Sequence, residues 1–240
     1  MMSELSQLLV TTCANWGLAL SDDQLAQFAQ YAQELRRYNE KVNLTAIVEP
    51  EAMYRRHFLD SLSCVRFWGD GPENLIDIGS GAGFPGLPLK IARPELHLTL
   101  VESVGKKVAF LEHIVQVLRL ERVRVVSARA EEVGRNSLHR AHYALAIARA
   151  VADMRVLAEY CMPLLRQGGR VLAPKSSTAS DEIAAARAAI QLLGGGEPQL
   201  FPVELPDLEP RLMVVVTKER PTPDAYPRAV GIPSKKPLNG

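Results

Sequence analysis

Apolar residues recur along the first ~70 positions at helical spacing. After Leu25 come Phe28, Tyr31, Ala32, Leu35 and Tyr38, three or four apart, forming one stripe of a 3.6-residue period. Ser21 precedes the stripe and Gln24 follows three residues on, the spacing of a capping box. The stripe reads as a packing face rather than a ligand surface. The segment 39–45 (Asn-Glu-Lys-Val-Asn-Leu-Thr) breaks this helix. A second helical segment is predicted over 51–68, with Met53, Phe58, Leu62 and Val65 turned inward. The turn cluster Gly69-Asp70-Gly71-Pro72 ends it.

From residue 74 the pattern changes to short apolar runs alternating with helical stretches. Strands are predicted at 75–78, 96–101, 123–126, 144–147 and 169–173. Helices fall at 87–92, 106–120, before Pro163 and at 181–193. Two late strands, 200–203 and 212–217, have only a short link between them and suggest an antiparallel hairpin at one edge. The alternation implies an α/β fold with a mainly parallel, seven-stranded sheet covered on both faces. Three parts are expected: an N-terminal helical extension (1–70), a core (71–220) and a basic, proline-rich tail (221–240).

Composition narrows the class without naming a function. At 240 residues, about half apolar and a quarter charged, the chain has the make-up of an ordinary soluble protein. No apolar run reaches the ~20 residues of a membrane span, and the start, Met-Met-Ser-Glu-Leu, lacks the features of a secretory signal. Cys13, Cys64 and Cys161 are isolated and odd in number, unsuited to a disulfide framework or a zinc pattern. A reduced cytoplasm is the expected location and a monomer the default state. Net charge is only +1, yet residues 218–240 hold five basic side chains against two acids. Such a tail is either plainly solvated or able to meet phosphate.

Chemistry is most legible where the first strand runs into a glycine loop, with Asp77 followed by Gly79, Ser80, Gly81, Gly83, Phe84 and Gly86. The glycines admit two readings. Gly81, Gly83 and Gly86 satisfy the dinucleotide G-x-G-x-x-G. Asp77 with Gly79, Gly81 and Gly83 gives the acid-x-Gly-x-Gly-x-Gly pattern typical of class I methyltransferases. Dinucleotide loops aim their N–H groups at a pyrophosphate, which a neighbouring carboxylate would repel. S-adenosylmethionine instead carries a sulfonium and an ammonium, so the acid favours it. Ligands of open α/β sheets bind beyond the C-terminal strand ends. Gly79 to Gly83 would let backbone approach the methionine half, with Phe84 covering it. Glu102, ending the second strand, could accept ribose hydroxyls or be a surface acid. Ala130 and Glu131, after the third strand, could meet the adenine edge or begin a helix. Arg149 and Lys175, after the fourth and fifth strands, sit at the same rim. Arg149 could also pair with Glu131 or Asp153. His139 and His142 lack further metal ligands nearby, and neither a G-x-S-x-G elbow nor a phosphate-binding P-loop is present.

Taken together, these motifs resemble the bacterial small-subunit ribosomal RNA guanine-N7 methyltransferases of the RsmG (GidB) family. The resemblance spans nearly the whole chain. Its marks are Tyr-Asn-Glu-Lys-Val-Asn-Leu-Thr at 38–45, Arg-His-Phe-Leu-Asp-Ser-Leu at 56–62 and the loop at 77–86. They continue with Ala-Arg-Ala-Glu-Glu at 128–132, Ala-Arg-Ala at 148–150 and the ending at 226–238. It implies a class I, Rossmann-like fold with a helical appendage, S-adenosylmethionine as cofactor, and one guanine of a 16S rRNA decoding-region loop as acceptor. Carried over by position, the family's cofactor contacts fall on Gly79, Phe84, Ala130, Glu131 and Arg149. Glu102 stands where many relatives have Asp. Val104 and Lys107 replace a common Leu and Arg.

Guanine N7 has a free in-plane lone pair, so methyl transfer to it needs no general base. Arg149 or Lys175 is expected to position the base through O6, since arginine's usual grip on O6 and N7 together would block the nucleophile. Arg55, Arg56, Arg228, Lys235 and Lys236 are the expected phosphate contacts; no metal is called for. Rival readings are a methyltransferase with another acceptor, a nicotinamide-dependent oxidoreductase and a non-catalytic RNA-binding module.

Overall fold

The computed structural model describes residues 3–69, 71, 73–149 and 151–238. Asp70 and Pro72 of the turn cluster, Ala150, and the two residues at each terminus lie outside the described residues. Helix α1 (Glu4–Ala14) precedes α2 (Asp22–Asn39), which starts at Ser21 with both hydrogen bonds of the capping box in place. A composite helix, α3 (50–67), follows. It begins as α-helix over Pro50–Met53, widens to a π-helical turn over Tyr54–Leu59, returns to α-helix over Asp60–Leu62 and tightens to 3₁₀ over Ser63–Phe67. Ser61 Oγ donates to the His57 carbonyl and Ser63 Oγ to that of Asp60, side-chain bonds that compete with the regular ladder.

The sheet comprises β1 (Asn74–Ile78), β2 (His97–Glu102), β3 (Val123–Ser127), β4 (Tyr143–Ile147), β5 (Leu165–Ser176), β6 (Gln199–Val203) and β7 (Arg211–Thr217). Its order is β3-β2-β1-β4-β5-β7-β6. The first five strands are parallel, while β7 runs antiparallel to both β5 and β6. The expected late hairpin is therefore present, with β7 lying inside and β6 forming the edge. Covering helices are α4 (Gly86–Ala92), α5 (Gly105–Val117), α6 (Ala130–Arg135), α7 (Met154–Cys161) and α8 (Ser180–Leu192). The tail ends in a short α9 (Ile232–Lys235).

Two apolar clusters flank the sheet. One joins Leu9, Phe28, Tyr31 and Phe58 of the N-terminal helices to Leu75, Leu100 and Leu172 of the strands. The stripe on α2 is thus a packing face, and Met53, Phe58, Leu62 and Val65 are buried as the periodicity predicts. The other joins Ile76, Val101 and Ala146 to α7 and α8, with Tyr226 and Leu238 of the tail packed against it. This arrangement leaves the C-terminal ends of β1–β5 bordered by N-terminal helices on one side and the tail on the other.

Candidate functional site

The glycine loop after β1 is held from behind. Asp77 is fully buried, and its Oδ2 accepts the Gly86 N–H at 2.9 Å. A Cβ at Gly86 would stand 2.8 Å from that oxygen, so only glycine fits this approach. Asp77 Oδ1 has no partner among the described residues. Burial pushes the Asp77 carboxyl up to about 7 against the lowering pull of the Gly86 N–H and Arg149. Its charge thus acts from beneath the loop, because the side chain does not line the cavity described below. Ser80 is buried, its hydroxyl bonded to the Asp77 and Val101 carbonyls. Gly83 has positive φ, and a Cβ there would meet Leu87 and the Tyr31 hydroxyl, which donates to the Ala82 carbonyl. The α2 stripe therefore also clamps the loop.

In front of the loop lies a cavity of about 250 Å3, lined by Gly79, Glu102, Ala130, Glu131, Val151, Tyr160 and Ser234 among others. Glu102 Oε2 accepts the Gly81 N–H at 3.0 Å, and Oε1 accepts those of Ser103 and Val104. A carboxylate oxygen takes two donors, so Oε2 keeps room for one more at the cavity wall. Glu131, nearly buried, accepts the Gly231 N–H at 2.8 Å. Val151 overlies Gly79 so closely that a Cβ would stand 2.7 Å from its methyl group.

Sequence reasoning missed Tyr160, Val151 and the tail's approach through Gly231 and Ser234. The tail is pinned by Arg228, whose guanidinium forms a forked pair with the fully buried Glu159 at 2.7–3.2 Å. Arg228, expected on phosphate, is committed to this pair.

Arg149 departs from expectation too. It pairs with neither Glu131 nor Asp153. Its guanidinium donates to Asp60 at 2.8 Å, to the Arg56 carbonyl at 3.1 Å and to His57 Nδ1 at 3.2 Å, and lies 5.2 Å above the Phe84 ring. Asp60, almost fully buried, also pairs with Arg211. Since Arg149 can only donate, His57 Nδ1 is the acceptor and Nε2–H faces Thr45 Oγ1 at 2.9 Å. Burial, then the positive field of Arg149, holds His57 down to about 3, so it stays neutral. Phe84 does not cover the cavity. Its ring is stacked between His57 and Tyr31 at 4.3 and 5.3 Å, drawn into the helical layer by aromatic packing. Lys175 donates to the Ala152 carbonyl and to Glu182, both at 2.7 Å.

The remaining expected phosphate contacts divide. Arg55 is held by Glu51 and Asp207. Arg56, Lys235 and Lys236 are exposed, and their side chains carry no ion pair or hydrogen bond among the described residues. Arg129, which lines the cavity, is a further exposed cation that sequence reasoning had not singled out.

The donor set fits S-adenosylmethionine. Two carboxylates stand at the ends of neighbouring elements and small apolar side chains form the walls. Gly79 brings loop backbone to the cavity wall, at a point where a Cβ would collide with Val151. Residues 24–205 match the family model described as rRNA small subunit methyltransferase G. The ribosomal RNA small subunit methyltransferase G of Roseiflexus sp. (strain RS-1) is 57% identical over 232 residues, covering 97% of this chain and 99% of its own. That of Chloroflexus aggregans is 53% identical over 238 residues, covering 99% and 100%. The crystal structure of the S-adenosylmethionine-dependent methyltransferase SibL, 16% identical, gives a TM-score of 0.54 over 82% of this chain and 73% of that one, a likeness of fold.

Proposed function

The chain belongs to the rRNA small subunit methyltransferase G family, and we propose that it transfers the methyl group of S-adenosylmethionine to N7 of one guanine in 16S ribosomal RNA. One observation carries the choice of acceptor atom. Among the described residues the cavity is lined by no histidine, cysteine or lysine, and both its carboxylates already hold backbone N–H groups. Methylating an exocyclic amine requires a proton to leave; methylating N7 does not. A site whose two carboxylates are engaged, and whose Tyr160 phenol is pushed up by burial and so stays protonated, suits the second reaction.

Gly79 and the loop backbone would hold the methionine half, Glu102 the ribose, and Ala130 and Glu131 the adenine edge. Catalysis then rests on holding N7 in line with the methyl group, where orientation is worth up to ~7–11 kcal/mol. Arg149 and Lys175 act as positioning cations for O6. Three of the five Arg149 donors and two of the three on Lys175 are engaged, so each keeps donors free while its partners fix its place. We also read the chain as a cytoplasmic monomer; no described helix is long and apolar enough to cross a membrane.

The test is mass mapping of 16S rRNA from cells with and without the protein, followed by methylation of the unmodified rRNA by the purified chain. N7-methylguanosine at a single position is expected only where the protein is present. Methylation at an exocyclic amine, or none in either experiment, would overturn the reading.

A further inference from the structure

At the opposite end of the sheet, where β1–β4 begin, lies a second and larger cavity of about 680 Å3. Its floor is a fixed polar chain: Tyr143 donates to Thr99 Oγ1 at 3.2 Å, and His139 Nδ1 lies 2.6 Å from the Tyr143 hydroxyl. Its rim is cationic. Arg122 and Arg124 come from just before and within the start of β3 and Arg166 from the start of β5, with His97 and His142 between them and Glu73 the one acid of the lining among the described residues. Among the described residues the guanidinium groups of Arg124 and Arg166 carry no ion pair or side-chain hydrogen bond. The Arg122 guanidinium donates to the Glu95 carbonyl at 3.4 Å. Burial first, then the positive fields of Arg124 and His142, hold His139 below its ordinary range. The positive groups of this cavity therefore act on one another, with Glu73 the acid of the lining.

We propose that this cavity binds successive phosphates of an RNA segment distinct from the one that carries the target guanine. The inference rests on the reading of the chain as an rRNA methyltransferase, and adds a second contact on the same substrate. Two features favour a polyanion over a single small anion. The first is spacing: β3 and β5 are four strand intervals apart in the sheet order, so at about 4.8 Å per interval the arginines spring from points roughly 19 Å apart. A row that wide matches several backbone phosphates and exceeds one. The second is the state of the cations. Exposed, unpaired arginines suit an electrostatic contact that gains from counterion release, whereas a fixed small-ligand site holds its groups in place with hydrogen bonds. An RNA reaching this end as well as the cofactor mouth must curve around the enzyme. A structured ribosomal substrate can do so and a short isolated loop cannot.

The experiment measures binding of the full chain to unmodified 16S rRNA across a potassium chloride series. Arg124→Ala, Arg166→Ala and the double variant are compared with Arg187→Ala, which removes the same charge from α8 where Arg187 pairs with Glu197. Each cavity substitution should lower the slope of log K against log salt by about 0.7–0.9 and raise the KM for rRNA several-fold. S-adenosylmethionine affinity, read at the other end of the sheet, should be unchanged and certifies folding. Arg187→Ala should leave the slope near that of the parent. An unchanged slope in the double variant, or an equal loss in Arg187→Ala, overturns the proposal. So does tight binding of inorganic pyrophosphate that the double variant abolishes while its RNA slope stays intact, which would make this a small-anion site. If the parent chain transfers no methyl group to rRNA, the proposed activity fails, while the binding slopes still decide this inference.

Discussion

The two ends of the sheet hold their charges in opposite ways. At the C-terminal end Arg149 and Arg211 share Asp60, Lys175 meets Glu182, Arg228 meets Glu159 and Glu102 holds the glycine loop. At the N-terminal end Arg124 and Arg166 stand without partners among the described residues. A small ligand of fixed shape is best met by groups already locked in place, which spares the cost of ordering them on binding. A phosphate backbone is met by free cations that displace its counterions. Residue type alone does not separate these roles. An arginine is a phosphate contact or a structural strut according to whether a carboxylate has already claimed it.

The largest test of that rule is Arg228. Were it a phosphate contact, Arg228→Ala would spare the fold. Instead it should leave the buried Glu159 carboxylate without its counter-charge, held only by the backbone N–H of residue 228. Loss of one partner from a buried pair costs 3–5 kcal/mol, and partial exposure of Arg228 places it near the lower end, about 3 kcal/mol. Chemical denaturation should show this as a lower midpoint, and S-adenosylmethionine affinity should fall with it, because Gly231 reaches Glu131 only from a pinned tail. Arg228→Met with Glu159→Leu should recover most of the stability. If Arg228→Ala is neutral, the tail is not held as described.

Local pattern made the fold legible, and long-range pairing hid much of the site. The α2 stripe, the alternation of strands and helices and the glycine loop are each encoded within a few turns of chain, so periodicity and turn chemistry reveal them. Asp60 meets Arg149 and Arg211 across 89 and 151 residues, and Glu131 meets Gly231 across 100. No periodicity spans such distances. One signal was nonetheless available: Glu159 interrupts the run Leu157-Ala158-Glu159-Tyr160-Cys161, and an acid in an apolar helix face needs a partner. Phe84 lies off the cavity for a different cause. Its backbone belongs to the loop, but the aromatic layer of Tyr31, His57 and Phe58 offered its ring a drier position than the cavity.

Asp77 is an exception among the buried charges of the paired end, since one of its oxygens has no partner among the described residues. Its folded pKa is raised to about 7 from an ordinary value of 3.8. A raised carboxyl favours the protonated fold, so its contribution to stability is full below about pH 4 and is lost as pH climbs through 7. Asp77→Asn keeps an acceptor for the Gly86 N–H but cannot ionise. Measured against the parent by urea denaturation, it should gain about 2–3 kcal/mol in relative stability between pH 5 and 7.5. A constant difference across that range would mean Asp77 is already ionised at pH 5. The cationic cofactor should favour the ionised form, so S-adenosylmethionine binding at pH 7 should release protons, measurable by calorimetry in buffers of different ionisation enthalpy. Asp77→Ala should weaken that binding; intact affinity would remove charge as the reason for an acid beneath this loop.

The smallest effects divide paired from free cations at a single end. Arg55 is tied to the exposed carboxylates of Glu51 and Asp207, an arrangement worth at most about 1 kcal/mol. Arg55→Ala should therefore shift stability only slightly and leave the salt dependence of rRNA binding as it was. Lys235 and Lys236 lie on the exposed side of the tail, next to Ser234 at the cavity mouth. Lys235→Ala and Lys236→Ala should each leave stability unaltered and lower the salt slope by about 0.7–0.9, as expected when one cation no longer neutralises a phosphate. If Arg55→Ala flattens the slope as much as the lysine substitutions do, then its carboxylate partners yield to phosphate. Pairing in the free protein would then not decide which cations meet RNA, and the contrast between the two ends would reduce to one of exposure.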